Sequence, residues 1–458
     1  MNRTKELGES NVFSLLMKFS IPAMVGMVVN ALYNVVDRIF VGQGVGSLAI
    51  AGITVGFPMF AIILAFGMLI GLGGAALISI RLGEQKHDDA EVILFNGVII
   101  LVSIGVVITI LGLTFLDPLL KLFGASKDVL PYAKDYMRII IWGSMFQFVG
   151  FGLNHYIRAE GNPKIAMYSM LIGALLNTAL DPLFIFVFDM GVKGAAIATI
   201  ISQAVSAIWV LSYFIYGKSS LKFRRKNFRI QKAIVSKILI IGSAPFAMQI
   251  ASSFLNIILN NSLKYYGGDI AISAMGVIMS VSMLVMMPIF GINQGVQPII
   301  GYNYGAHNYD RVKEALKLAI LFATIIVSVG FVIIQLFSTQ LIQLFNKEDI
   351  ALVEVGSKGL RTYMFMLPII GFQIISANYF QATGKPKHAM FLSLSRQVLL
   401  LIPAILILPR LFDLGLRGLW LAGPVADVGA SLLTGILLFR ELKHLDDKHS
   451  ERMQMQEI

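Results

Sequence analysis

Two carboxylic acids sit deep in apolar sequence, and each has a polar partner one helical turn away. Asp37 follows Tyr33 by four residues, and Asp181 follows Asn177 by four. A spacing of four places both members of a pair on one face of a helix. Asp181 lies about 18 residues into the fifth apolar run, about 27 Å along it at roughly 1.5 Å per residue. Asp37 lies near the end of the first run. Thr199 lies a few residues into the sixth run, entered from the opposite side, so the three reach a similar depth. Such a set offers carboxylate, amide, hydroxyl and phenol oxygens in one place. Hard oxygen donors can hold a cation such as sodium. They can equally hold a proton, because two buried carboxylates are not both charged cheaply. Read singly, each residue has a plainer account. Asp37 is then a helix-end acid beside Arg38, Asp181 a local acid before Pro182, and Asn177 and Thr199 interhelical hydrogen-bonding groups.

Further polar residues mark the second half of the chain. Arg396 and Asp427 fall about 15 Å deep in neighbouring apolar runs at roughly 1.5 Å per residue, which predicts that they pair. A structural pair and a role in coupling or substrate contact are both open. Gln249, Ser253, Asn256 and Asn260 form a polar stripe at helical spacing, and Met275, Met279, Met283 and Met286 a methionine stripe. Methionine is flexible and polarisable, which suits a cavity for varied apolar cargo, but such a stripe also packs cores. Gln249, Asn256, Asn260, Met279, Met283 and Met286 are the candidate substrate-cleft residues. His155 and His388 are expected at interfacial helix ends. No metal-ligand cluster, phosphate loop or nucleophile elbow is apparent, so neither an enzyme nor a resident cofactor is expected. The coupling ion is sodium or a proton.

What must position these groups is a duplicated set of membrane helices. Ser20-Ile21-Pro22-Ala23-Met24 returns as Ser243-Ala244-Pro245-Phe246-Ala247-Met248. Tyr156 to Lys164 returns as Tyr379 to Lys387, and Gly191-Val192-Lys193-Gly194 as Gly415-Leu416-Arg417-Gly418, always about 223 residues apart. At that offset Asp37 maps to Asn260, Asp181 to about Ile405 and Thr199 to about Gly423. The copies thus share a scaffold but not the acid cluster, which favours function for the cluster. Hydrophobic residues make up 57% of the chain and charged ones 14%, far outside the soluble range. Twelve apolar runs, from 14–39 to 416–439, are long enough to cross a bilayer. They must be helices, because lipid satisfies no backbone hydrogen bond.

The fold expected is therefore all-α and integral to the membrane. Twelve transmembrane helices form two parallel-repeat six-helix lobes around a central cleft. The divisions are 1–216 for the N-terminal lobe, 217–237 for a basic linker, 238–442 for the C-terminal lobe and 443–458 for a tail. The net charge of +11 does not mark a nucleic-acid binder. With both termini and the even-numbered loops in the cytoplasm, most of the Lys and Arg fall on that side, the positive-inside pattern. The linker holds eight basic residues from Lys218 to Lys237 and no acid. It is read as resting on anionic headgroups or as a bare topological determinant. The first run lacks a cleavage pattern and is expected to be retained as an anchor. The chain has no cysteine, so disulfides are ruled out.

The runs Asn177-Thr178-Ala179-Leu180-Asp181-Pro182-Leu183-Phe184-Ile185-Phe186, Asn34-Val35-Val36-Asp37 and Ala159-Glu160-Gly161-Asn162-Pro163 resemble signatures of multidrug and toxic compound extrusion (MATE) transporters. The resemblance covers the whole length and is to the MepA-like bacterial branch. It implies a secondary active antiporter of the cell membrane, exporting cationic or amphipathic compounds in exchange for sodium ions or protons. Asp37, Asn177, Asp181 and Thr199 then match the family's cation site, with Tyr33 where that site has a tyrosine. Pro22 matches a helix-bending proline. The C-lobe coupling acids of some branches have no counterpart, and Asp427 sits elsewhere. A monomer is expected, with small-molecule substrates and the bilayer as its partners. The alternative is a lipid-linked oligosaccharide flippase of the related superfamily, which would carry more helices and more basic residues in its cavity.

Overall fold

The computed structural model describes the backbone of residues 3–217, 219–345 and 349–456. It describes side chains throughout these ranges except at 3–5, 34, 35, 38, 47, 269, 412 and from 448 onward. Lys218 of the expected linker and the last two residues of the expected tail therefore lie outside the described residues. Among those described all regular structure is helical, with no strand.

The N-terminal lobe starts with a short helix, α1 (Arg3–Glu9), followed by α2 (Val12–Gly44). A broken second span combines α3 (Ser47–Val55) and α4 (Phe57–Gly83). Next come α5 (His87–Thr114), the short α6 (Leu116–Leu122) and α7 (Leu130–Ala159). The lobe ends with α8 (Pro163–Pro182) and α9 (Gly191–Ile215). The second lobe repeats the order. Its spans are α10 (Lys232–Gly268), α11 (Ile270–Gly305) and α12 (Tyr309–Gln343). A span bent by 51° follows, made of α13 (Ile350–Tyr363) and α14 (Leu367–Ala382). The last two are the pair α15 (Pro386–Leu394) with α16 (Ile402–Ile407), and α17 (Leu416–Gln456).

Ten of these helices cross a membrane by length and apolar content, and the bent pair makes eleven. The remaining span of the expected twelve is α7. It carries Lys134, Asp135 and Arg138 near one end and His155 and Arg158 near the other, so it is less apolar. Its 30 residues nonetheless run the depth of the bundle, against α9, α4 and α5. α2 passes through Pro22 as one continuous helix.

The duplication is written into the backbone. Left-handed residues come in pairs about 223 positions apart: Gly46 with Gly268, Gln85 with His307, Gly161 with Gly384, Asp189 with Asp413, and Gly191 with Gly415. Gly268 has φ 64° and ψ −159°, a conformation open only to glycine. It turns α10 sharply into α11. Recurring turns explain why the loop motifs survive in both copies.

The lobes meet on the side of the bundle that carries the linker. There α4 and α11 cross so closely that glycine is required. A Cβ on Gly83 would lie 2.0 Å from the carbonyl oxygen of Tyr302, and one on Gly305 would lie 2.1 Å from that of Ile80. The contact is reciprocal, because Gly83 and Gly305, and Ile80 and Tyr302, are repeat mates. Gly242 of α10 presses on the Leu69 carbonyl of α4, and Gly291 and Gly295 of α11 press on Met24 and Ser20 of α2. Small residues let helix backbones approach, and dispersion then supplies the attraction that lipid cannot. Phe66 and Phe246, with ring centroids 5.0 Å apart, close the seam toward the membrane centre.

The linker is folded onto the N-terminal lobe, with Lys222, Arg225 and Arg229 exposed. Glu91 of α5 accepts hydrogen bonds from the backbone of Lys222 and the amide of Asn227, and pairs with Arg224. Glu160, in the turn between α7 and α8, accepts from the Ser219 and Ser220 hydroxyls and the Ser220 and Leu221 backbone. Phe95 stacks on Phe228 at 4.7 Å. Both acids are buried, so the segment is anchored by hydrogen bonds within the protein, and Arg224 and Lys226 pair with Glu91 and Asp88.

Two outcomes follow from these contacts. Gly83→Val places side-chain atoms against the α11 backbone and should part the lobes on the linker side. Spin labels at Lys86→Cys and Asn308→Cys, needing no removal of native cysteine, should then report a longer and broader distance than in the Gly83 background. An unchanged distance would show that the seam can absorb the added bulk.

Glu160 gives the second. Burial pushes its carboxyl above the ordinary value of 4.5, only partly offset by hydrogen bonds from Tyr213, Ser219, Ser220 and Leu221. The folded protein thus holds this proton more tightly than the unfolded chain. Its contribution to stability is greatest below pH 4.5 and declines as pH rises through the raised folded value. Glu160→Gln should remove that part of the pH dependence, measured as thermal midpoints in detergent from acid to neutral pH. A gap between the two proteins that does not change with pH would count against it.

Candidate functional site

The acid cluster assembles inside the N-terminal lobe from α2, α7, α8 and α9. Asp181 and Asn177 of α8 are buried, and Asp37 of α2 is 9% exposed. The Asn177 amide nitrogen lies 3.2 Å from Asp181 Oδ1 and 3.4 Å from Thr199 Oγ1. Thr199 donates to the Ala195 carbonyl at 3.0 Å. The Asp37 and Asp181 carboxyl groups meet across the gap between α2 and α8. No hydrogen-bond donor among the described residues reaches Asp181 Oδ2 or Asn177 Oδ1. Two carboxyls, an orphaned amide oxygen and a hydroxyl form a cradle of hard oxygen donors, fit for sodium or a proton. Among the described residues no group of three His, Cys, Asp or Glu side chains could hold a metal. The cradle is therefore built unlike a transition-metal site.

Tyr136 is a member that sequence reasoning passed over. It is 3% exposed on α7, with Thr199, Asp37, Tyr33 and Asp181 close to its hydroxyl. Its depth was a usable signal, since it lies six residues into α7 from the side on which α9 begins. The local backbone is also unusual. Directly after Asp181 and Pro182, residues Leu183–Val187 form a wide π turn. Proline removes one backbone donor there, and π turns gather at functional sites.

In the second lobe Arg396 lies within another π segment, Ser395–Leu401. Its Nε donates to Asp427 Oδ1 at 2.7 Å. Asp427 is almost wholly enclosed, and Tyr363 lies beside both charges. The expected cleft residues divide. Asn256, Asn260, Met279 and Met283 are exposed on the far halves of α10 and α11, while Gln249 and Met286 are half-buried. Met275, in the same stripe, is buried among C-lobe core residues, so the stripe does not keep one face throughout. His155 is buried, not interfacial as expected, because the opposite lobe covers its end of α7.

The MatE family profile matches residues 22–183 and again 245–406. The chain belongs to the MATE family. The two matches are the two copies of the repeat, and each ends just past the position of Asp181 or its mate. The multidrug export protein MepA of Staphylococcus haemolyticus (strain JCSC1435) is 29% identical over 431 residues, covering 94% of each chain. A multidrug resistance MATE family transporter solved in an outward-facing conformation superposes with TM-score 0.91 at 26% identity, covering 96% of this chain and 98% of its own. A MATE structure described as bent gives TM-score 0.93 at 26% identity, covering 98% and 99%. As a MATE protein the chain is a multi-pass membrane transporter.

The Arg396–Asp427 contact yields a measurable outcome. Removing one partner strands the other charge in lipid and should destabilise by about 3–5 kcal/mol. Exchanging them, Arg396→Asp with Asp427→Arg, should recover part of that in thermal unfolding. If the exchange were as unstable as Asp427→Asn alone, the two charges would not be supporting each other.

Proposed function

We propose that this protein is a secondary active multidrug antiporter. It exports cationic or amphipathic compounds in exchange for sodium ions or protons by alternating access. The observation that carries this reading is the cradle at Asp37 and Asp181, present in one lobe and missing from its repeat mate. A scaffold needs its groups twice, whereas a coupling site is needed once. We take the linker side as cytoplasmic and the membrane as the cell membrane. The seam of α4, α10 and α11 is then an inner gate in its closed form, with the cleft open outward. The working unit is a monomer, divided at 1–216, 217–237, 238–442 and 443–458.

In this cycle an entering ion settles among Asp37, Asn177, Asp181 and Thr199 and neutralises the carboxyl pair. Tyr33 and Tyr136 close the site from α2 and α7. Neutralising the pair removes repulsion between α2 and α8 and so favours one lobe arrangement. Pro22 leaves α2 without one internal hydrogen bond, which gives that helix a place to bend. Substrate lies between the lobes, against Gln249, Asn256, Asn260, Met279, Met283 and Met286, and favours the other arrangement. Each ligand moves the equilibrium only by its difference in affinity for the two states.

Proteoliposome efflux, with sodium and pH gradients imposed separately, tests the reading and names the ion. Asp37→Asn keeps the shape and removes the charge. It should abolish gradient-driven efflux while substrate affinity in detergent stays within about tenfold, or about 1.4 kcal/mol. Full efflux in both Asp37→Asn and Asp181→Asn would move the coupling to the C-terminal lobe, with Asp427 the next residue to change.

A further inference from the structure

A second polar cavity lies between the lobes, far from the acid cluster. It sits on the linker side, where α4 and α7 face α11. Its walls include Ser79, His155, Arg158, Gln294 and Gln297, and its volume is about 10 Å³, enough for about one water-sized particle. His155, Arg158 and Gln297 are each 5% exposed.

The charge in this cavity is not balanced by the protein. Arg158 is buried, and among the described residues no acid forms an ion pair with it or acts on it. Glu160, two residues on, is turned away to hold the linker. The nearest polar contact of Arg158 is His155 Nδ1, 3.5 Å from its Nη2. A guanidinium only donates, so Nδ1 must accept, and the imidazole proton then sits on Nε2. That Nε2 is buried and has no partner, as is the amide nitrogen of Gln297. A guanidinium, an imidazole N–H and an amide N–H thus converge on one small space. On the same wall Gln294 Oε1 is an acceptor that no donor among the described residues reaches. An unpaired arginine in so enclosed a place is expensive, and water offers it no charge.

We propose that this cavity is a binding site for a small inorganic anion of the chloride class, held by Arg158 and His155 from one lobe and by Gln297 from the other. The donors come from both lobes, so the site is complete only while the seam is shut. The anion then favours the closed linker side by its difference in affinity between the two states. Ser79 donates its hydrogen to the Ala159 carbonyl at 3.5 Å, which satisfies that carbonyl at the floor of the cavity. The site does not depend on which cation drives transport, and its test uses no transport assay.

The test uses the purified full-length protein in detergent. Sodium and ionic strength are held constant while gluconate is replaced by chloride or bromide. Expected are a saturable rise in thermal midpoint with chloride and a narrowing of the Lys86→Cys/Asn308→Cys spin-label distance. In crystals grown with bromide, an anomalous peak should lie between Arg158 and Gln297. Arg158→Gln should abolish the rise. Gln297→Leu, which leaves the arginine in place, should weaken anion affinity about tenfold or more. Equal midpoints in chloride and gluconate would overturn the proposal, as would a bromide map with no peak in the cavity. So would an undiminished chloride response in Gln297→Leu.

Discussion

Everything else in this molecule depends on how closely two backbones can approach. At the crossing of α4 and α11, Gly83 and Gly305 each rest on a carbonyl oxygen of the other lobe, with no room for a methyl group. Gly242, Gly291 and Gly295 extend the same seam along α10 and α11. Lipid tails are as apolar as leucine, so burial gives little reason for two membrane helices to meet. Close dispersion contact and shape do. A seam that relies on fit is firm when engaged, yet it can part without stranding charges. The polar cavity at Arg158 is the exception, and it lies where α4 and α7 face α11.

The two lobes then diverge in what they do with a shared scaffold. The turn after α7 holds Glu160, which gathers the linker. The matching turn after α14 holds Lys385, which pairs with Glu441 of α17, while Tyr379 donates to the same acid at 3.2 Å. The backbone is the same, with Gly161 and Gly384 both left-handed, but the charge is reversed. Deeper in the bundle the first lobe has a carboxyl pair in which no donor among the described residues reaches Asp181 Oδ2, and the second an ion pair. The same scaffold thus carries two acids side by side in one lobe and an acid matched to a base in the other.

Much of this was legible in the sequence because membrane helices announce themselves. The duplication, the spans and the grouping of Asp37, Asn177, Asp181 and Thr199 followed from run length, offset and depth. The fourth span was visible as an apolar run at 136–157, although its charged ends make α7 less distinct than its neighbours. Tyr136 was missed because one aromatic in an apolar run looks like packing until its neighbours are known. The glycine seam was missed because Gly83 and Gly305 read as ordinary helix ends. The need for them comes from a helix more than 200 residues away in the chain. The anchorage of the linker was hidden for a related reason. Its own residues are basic, but the buried acids that hold it, Glu91 and Glu160, belong to other segments.

The reciprocal contact of Gly83 with Tyr302 and of Gly305 with Ile80 also has the form of a symmetric interface. In a pair of identical chains related by a twofold axis, residue i of one meets residue j of the other, and j meets i. This seam keeps that pattern inside a single polypeptide. In a dimer of identical chains any change at a site appears twice, and a carboxyl pair in one subunit means a carboxyl pair in both. Two halves of one chain carry no such tie. They can share an interface and still differ elsewhere, as they do where Asn260, Ile405 and Gly423 stand opposite Asp37, Asp181 and Thr199.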